Sequence, residues 1–394
     1  MTPLFRPISY YKNVAPFAFP DLERFSTAAA PRGTWPAVGG GAGRTGRSGE
    51  PLVHDRFTVA WQAPLDAAAR PDGVLVGDGR VIVNGARQRG FWSDDGISVG
   101  FVGREPGAAL IDIDGKRFLA NGASSGLAVL SLDARQEASI VAAAPGDGQA
   151  REILQGPGAI VLVTTHETPH GGARTIVETL HVRDYTDAKQ EILYGIDPLA
   201  GIIREEDALV VAAAGARGPV LATPNGIDRR DWQLRPLHEH ALAARPLALS
   251  VDENDHAHLL SDDGGWPHLQ VFPASGAPIF DLELSPEDSP FKRAPLIAPN
   301  GQIYLVSPLS IVAISPRGRV LWRQERMLPS QATLSGNGLL LMGSASLDAV
   351  TPEGRHIILW HPPSPIVTPP VLANGRIYVA TQEDLYALKP DDAV

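Results

Sequence analysis

Two groups of residues in this 394-residue chain have the types and spacing that chemistry uses. The first is histidine. His256 and His258 alternate within the run Asp252-Glu253-Asn254-Asp255-His256-Ala257-His258. Residues two apart on a strand face the same way, so two imidazoles share a face beside carboxylates. Such a set could hold a divalent metal or serve as acid and base. His238 and His240 in LHEHAL repeat the alternation. His166 and His170 in THETPHGG have the spacing of a helical metal pair, but Pro169 and Gly171-Gly172 break a helix, so this stretch reads as a loop. Trp92 in GFWSDDG, and Trp266 and His268 in DDGGWPH, lie in or beside turns, where they could contact a ligand or a protein partner. For each tryptophan the other reading is a cap on the core of its own sheet.

The second group is GAGRTGRS, Gly41 to Ser48. With Arg47 in place of Lys it nearly spells the phosphate-binding G-x-x-x-x-G-K-[ST], and Gly41, Gly43 and Gly46 satisfy G-x-G-x-x-G. A phosphate loop needs a strand before it and a helix after it. Here Thr34-Trp35-Pro36 precedes and Glu50-Pro51 follows, and neither flank fits. No G-x-S-x-G or H-E-x-x-H signature is present. No catalytic residue is assigned, and no metal or other cofactor is expected.

The elements that must carry these residues show as a repeat. Asn300-Gly301, Asn337-Gly338 and Asn374-Gly375 are spaced by 37 residues twice. Asn-Gly between alternating apolar residues reads as a two-residue hairpin turn with positive φ at both positions. Each pair leads into an apolar strand, such as Ile303-Tyr304-Leu305-Val306, and then a second one; further turns at Gly318 and Gly354 lead to strands ending in Trp322 and Trp360. One repeat is a four-stranded antiparallel meander. Weaker copies of the first turn fall at Asp255, Asp207, Gly158, Gly115 and Gly79. The pattern predicts an all-β propeller of eight blades, with seven the alternative. The last unit lacks its fourth strand, and Thr58-Val59-Ala60-Trp61 matches it, so a strand over residues 57–62 is expected to complete the last blade and close the ring.

These repeats resemble those of the pyrroloquinoline-quinone-like β-propeller superfamily: PPVLANGRIYVATQEDLYALKPDD follows its V-x-x-G-x-V-Y-V-x-x-x-x-x-L-x-A-L pattern closely. The stretch Trp35 to Ser48 is similar to the superfamily's lead-in, W-x-x-x-G-G-x-x-x-R-T-G-x-S, which makes residues 35–50 a tight irregular loop and Arg44 a surface or blade-edge anchor. The resemblance implies a propeller over residues 34–394 and a member that binds no quinone. The chain has no cysteine for the adjacent-cysteine disulfide of the quinone enzymes, and Trp322 and Trp360 stand without the rest of the tryptophan docking motif.

Gly and Pro make up about a fifth of the chain, as a turn-rich fold requires. A net charge of -10 argues against nucleic-acid and anionic-membrane surfaces. The N-terminal residues are broken by prolines and lack the pattern of a signal peptide, so a cytoplasmic location is expected. Residues 1–33 lie outside the repeat. Tyr10, Tyr11, Phe17 and Phe19, interleaved with prolines, read as an arm that docks on the propeller itself or on another chain. The functional expectation is a non-catalytic protein-binding propeller, a scaffold or accessory subunit of a larger assembly. Its alternatives are an enzyme of lyase or hydrolase type with a histidine site at the channel mouth, and a small-ligand sensor.

Overall fold

The computed structural model describes residues 6–7, 29–32, 34–37, 40–41, 43–66, 71–85, 88–103, 108–113, 116–123, 126–131, 139–145, 149–167, 173–186, 192–204, 210–242, 244–291, 293–325 and 331–391. They form eight antiparallel meanders arranged as a β-propeller. Blade 1 runs from the strand Gly73–Gly77 to Ser98–Gly103, blade 2 from Ala108–Ile113 to Ser139–Pro145, and blade 3 from Gln149–Gly156 to Ile192–Arg204. Blade 4 runs from Val211–Gly215 to Pro236–Ala241, blade 5 from Arg245–Val251 to Phe280–Glu283, and blade 6 from Leu296–Ile297 to Val320–Glu325. Blade 7 runs from Gln331–Leu334 to His356–Trp360. Blade 8 has three C-terminal strands, Val371–Ala373, Arg376–Ala380 and Asp384–Pro390, and takes its fourth from Phe57–Pro64, which pairs from Phe57 opposite Pro390 to Pro64 opposite Asp384. Ring closure is as expected, with a closing strand slightly longer than its sequence signal.

Apolar patterning explains the radial order. The inner strands are buried on both faces because each blade is stacked between two others, and they read as continuous apolar or small-residue runs. The fourth strands lie at the periphery; Val320–Glu325 is exposed over most of its length. Clusters of buried side chains fill the space between successive blades. Val74 and Val76 of blade 1 share a cluster with Val371, Ala373 and Tyr378 of blade 8, so the closing interface is packed like the others.

Two expectations need correction. Of the three repeating Asn-Gly pairs, Asn374-Gly375 alone forms a two-residue turn, with φ 54° and 66°. At Ala298–Gln302 and Ser335–Leu339 the glycine alone is left-handed (Gly301 φ 78°, Gly338 φ 84°), and the loop closes by one extra residue. Asn337 is thereby freed for other work: its amide accepts from Leu52 N and donates to Leu52 O, tethering the segment before the closing strand. The second correction concerns blade 4. Asp207 lies outside the described residues, and the first hairpin of this blade joins Val211–Gly215 to Gly218–Thr223, several residues later than expected. Blade 3 ends in two long strands, Ala173–Thr186 and Ile192–Arg204, which push the next blade along the chain.

Aromatic residues on peripheral strands tie blade 5 to blade 6, blade 6 to blade 7 and blade 8 to blade 1. The Trp322 indole N–H donates to Pro352 O of blade 7 at 2.6 Å, and Trp61 donates to Asp94 O of blade 1 at 2.5 Å. Beneath these rings sit the turn glycines Gly354 and Gly96, where a Cβ would press on the indole. Phe280 of blade 5 covers Gly318 of blade 6 in the same way.

Candidate functional site between blades 5 and 6

The lead-in loop defines where a site can be. The described residues of 35–50 lie along the inner strands of the ring. Trp35 exchanges backbone hydrogen bonds with Val76 of blade 1, and Pro36 O accepts from Leu110 of blade 2. Arg44 makes a two-pronged ion pair with Glu152 of blade 3. Gly43 O accepts from Val251 of blade 5, Thr45 O from Ile297 of blade 6, and Gly46 O from Leu334 of blade 7. The Ser48 hydroxyl donates to Leu372 O of blade 8, and the Glu50 carboxylate accepts from Asn374 N and Gly375 N. The segment thus touches seven of the eight blades among the described residues. Arg44 is an anchor, as expected, but on an inner strand rather than at the surface.

The expected site residues fall in different places. Trp92, on the third strand of blade 1, is 2% exposed and packs with Phe91, Val81 and Val83, so it is a core residue and not a surface contact. His166 lies not in a loop but on the strand Ala159–Glu167, buried, with Nε2 3.0 Å from Thr164 Oγ1. His170, Tyr10, Tyr11, Phe17 and Phe19 lie outside the described residues. Of the N-terminal arm, Arg6–Pro7 is described, and it pairs with Ile202 and Ile203 on the peripheral strand of blade 3. Ala30, assigned by sequence to the arm, is buried in the blade 1 cluster and bonded to Arg47 O. Trp266 is half exposed at the start of the third strand of blade 5, and His268 on the same strand has Nδ1 3.0 Å from Asp281 Oδ1. His240 packs its ring against Phe272, 4.8 Å between centroids; burial and the neighbouring His238 lower its pKa.

Of the expected site residues that are described, His256 and His258 are brought together on one carboxylate, and a turn does it. At Ser315–Arg319, Thr351–Arg355 and Ser335–Leu339 the first residue of a five-residue turn accepts from the last backbone N–H through its hydroxyl. Blade 5 has Asp252 in this position, and its Oδ1 accepts from His256 N and Asn254 N, both at 2.9 Å. Asp255 takes the left-handed position that glycine holds elsewhere, φ 62°. A carboxylate has a second oxygen to spare. Oδ2 lies 3.1 Å from His256 Nδ1 and 3.2 Å from His258 Nε2. Burial pushes the Asp252 pKa up, but the bonds and charges of His258 and His256 outweigh it and hold the carboxyl below its ordinary value. An ionised carboxylate can only accept, so each ring carries its proton on the nitrogen facing Asp252. In the neutral form, His256 then offers Nε2 as a lone pair, a polarised imidazole of the kind that accepts protons or hydrogen bonds.

A cavity of about 280 Å³ opens beside this group. Asp252, Glu253, Asn254, His256 and His258 form its polar side, with Asn300 from blade 6; Val271, Ile279 and, from blade 6, Ile297, Pro299 and Pro316 form its apolar walls. Glu253 is joined to Arg47 of the lead-in loop at 2.8 Å. No group of three or more His, Asp or Glu side chains among the described residues could hold a metal ion. Sequence reasoning found the histidines and the neighbouring acids. It missed the wall from blade 6 and the link to Arg47, which join residues far apart in the chain.

No protein-family model matches this sequence, and no curated protein matches it. Solved structures do match. BamB from Moraxella catarrhalis superposes with a TM-score of 0.57 at 12% identity, over 84% of this chain and 99% of that one. The likeness is one of fold. A virginiamycin B lyase from Staphylococcus aureus (TM-score 0.45, 10% identity, 85% of this chain and 99% of that one) and the Pan2 WD40 domain of Neurospora crassa (0.44, 8%, 88% and 98%) are more distant. No helix among the described residues is long and apolar enough to cross a membrane.

Proposed function

We propose that the protein is a non-catalytic, protein-binding propeller that serves as a scaffold or accessory subunit of a larger assembly. The observation that carries this reading is the lead-in loop. The described residues of 35–50 bind along the inner strands of the ring, where a channel-mouth site would have to be built, and hold positions on seven of the eight blades. The periphery, by contrast, is open. Leu321 on the fourth strand of blade 6, and Ile357 and Ile358 on that of blade 7, are exposed. The strand His356–Trp360 carries neither Lys, Asp, Glu nor Pro to blunt its edge, and edges of that kind pair with strands of other chains. Blade 3 accepts such an addition from the chain's own Arg6–Pro7.

Affinity capture from the native host, with the full chain and with Ile358→Lys as parallel baits, tests the proposal. A partner retained by the wild type and lost by Ile358→Lys is expected, with unchanged circular dichroism. Recovery of the same proteins by both baits, or of none above background, would overturn it.

A further inference from the structure

We propose that the cavity between blades 5 and 6 binds a primary alkylammonium group. Its polar end is negative: Asp252 is held ionised by its two histidines, and Glu253 stands beside it. Neither Lys nor Arg lines the cavity; Arg47 reaches Glu253 from the loop behind it. An anion would meet unfavourable potential and a cation favourable potential.

The acceptors narrow the choice further. The Asp252 oxygens take bonds from Asn254 N, His256 N, His256 Nδ1 and His258 Nε2, so the carboxylate supplies charge while its lone pairs are occupied. What remains for a ligand is Glu253 Oε1, the Nε2 lone pair of neutral His256, and the side-chain amides of Asn254 and Asn300. The carboxylate and the imidazole accept, and an amide oxygen can join them, which suits a head group that donates several hydrogen bonds. Apart from the imidazoles, no aromatic ring lines the cavity, so a quaternary ammonium would find none of the ring faces that normally hold it. The walls, Val271, Ile279, Ile297, Pro299 and Pro316, suit a compact aliphatic body. A free small amine and a lysine side chain reaching in from a partner share this chemistry.

The test titrates the full chain near neutral pH, where alkylamines stay protonated. Isopentylammonium is compared with isopentanol, tetramethylammonium and a capped Ala-Lys-Ala peptide, by calorimetry and by the histidine ring resonances. Saturable binding of isopentylammonium or of the peptide is expected, about tenfold tighter than the alcohol and the quaternary ion, as a charge-assisted hydrogen bond implies. Tighter binding of the free amine would identify a small metabolite, and tighter binding of the peptide a partner's lysine. Glu253→Gln should weaken binding about tenfold. Because that change also touches the Arg47 contact, Ile279→Trp serves as a second variant: Ile279 is exposed, and the larger ring should block the cavity without disturbing its polar end. Equal affinity for amine and alcohol, binding indifferent to both variants, or no saturable binding would overturn the proposal.

Discussion

Replacing Gly46 by alanine should destabilise the protein far more than a single methyl group suggests. Gly46 has φ 65°, and an added Cβ would lie 2.1 Å from Leu296 Cδ2 on the innermost strand of blade 6. The left-handed conformation costs an L-residue about 1 kcal/mol, and overfilling a packed site adds about 1–3 kcal/mol. Relief by backbone movement is closed off. Thr45 O is held by Ile297 N at 3.0 Å, Gly46 O by Leu334 N at 2.7 Å, and Ser48 N by Leu334 O at 2.8 Å, so any shift sacrifices bonds to two blades. The expected loss is about 2–4 kcal/mol. Gly375→Ala is the matched control: φ is 66°, but nothing lies within 4 Å of the added carbon, so only the conformational share of about 1 kcal/mol remains. Urea denaturation followed by tryptophan fluorescence gives both values. If Gly46→Ala costs no more than Gly375→Ala, the loop is not packed into the ring as described.

Three further outcomes follow from the same geometry. Trp322→Phe and Trp61→Phe keep an aromatic ring but leave Pro352 O and Asp94 O without their donor, and each should cost about 1 kcal/mol in urea denaturation. The two sites lie at different blade interfaces, so the double variant should equal the sum within about 0.5 kcal/mol; a clear departure would mean the indoles do not act locally. Asp228, fully buried on blade 4, is pushed up to about 6 by burial, against its bonds and charge pairing with Arg230. Between pH about 4 and 6 the native state therefore holds a proton that the unfolded chain has released, and stability falls as pH rises through that window by about 3 kcal/mol for this group. Asp228→Asn should lack this fall when denaturation midpoints are measured across the range, and an unchanged slope would refute the assignment.

The blades were legible where the chain repeats itself. From Leu296 onward the recurring glycine turns and apolar pairs mark the strands, and Val59 and Trp61 advertise the missing fourth strand of blade 8. Blade 4 was misframed because Val210-Val211-Ala212-Ala213-Ala214 has no alternation to fix its phase, and nothing local signals that blade 3 will use strands of 14 and 13 residues. At the site, alternation placed His256 beside His258, and the nearby Asp252 was visible. Its role was not, because it depends on a carboxylate standing where related turns use a hydroxyl. The loop at residues 35–50 resisted reading for a different reason: most of its bonds are to residues distant in sequence, and a local pattern carries no record of those.

That loop also sets an order of events. Its docking positions run from Val76 of blade 1 to Gly375 of blade 8, while the loop itself is made before any blade. During synthesis the loop groups destined for blades 5 to 7 gain their counterparts one blade at a time, and Ser48 and Glu50 wait for the last strands to emerge. The fourth strand of blade 8 waits with them. The lead-in loop and the closing strand precede every blade in the chain, yet their last contacts form only with blade 8.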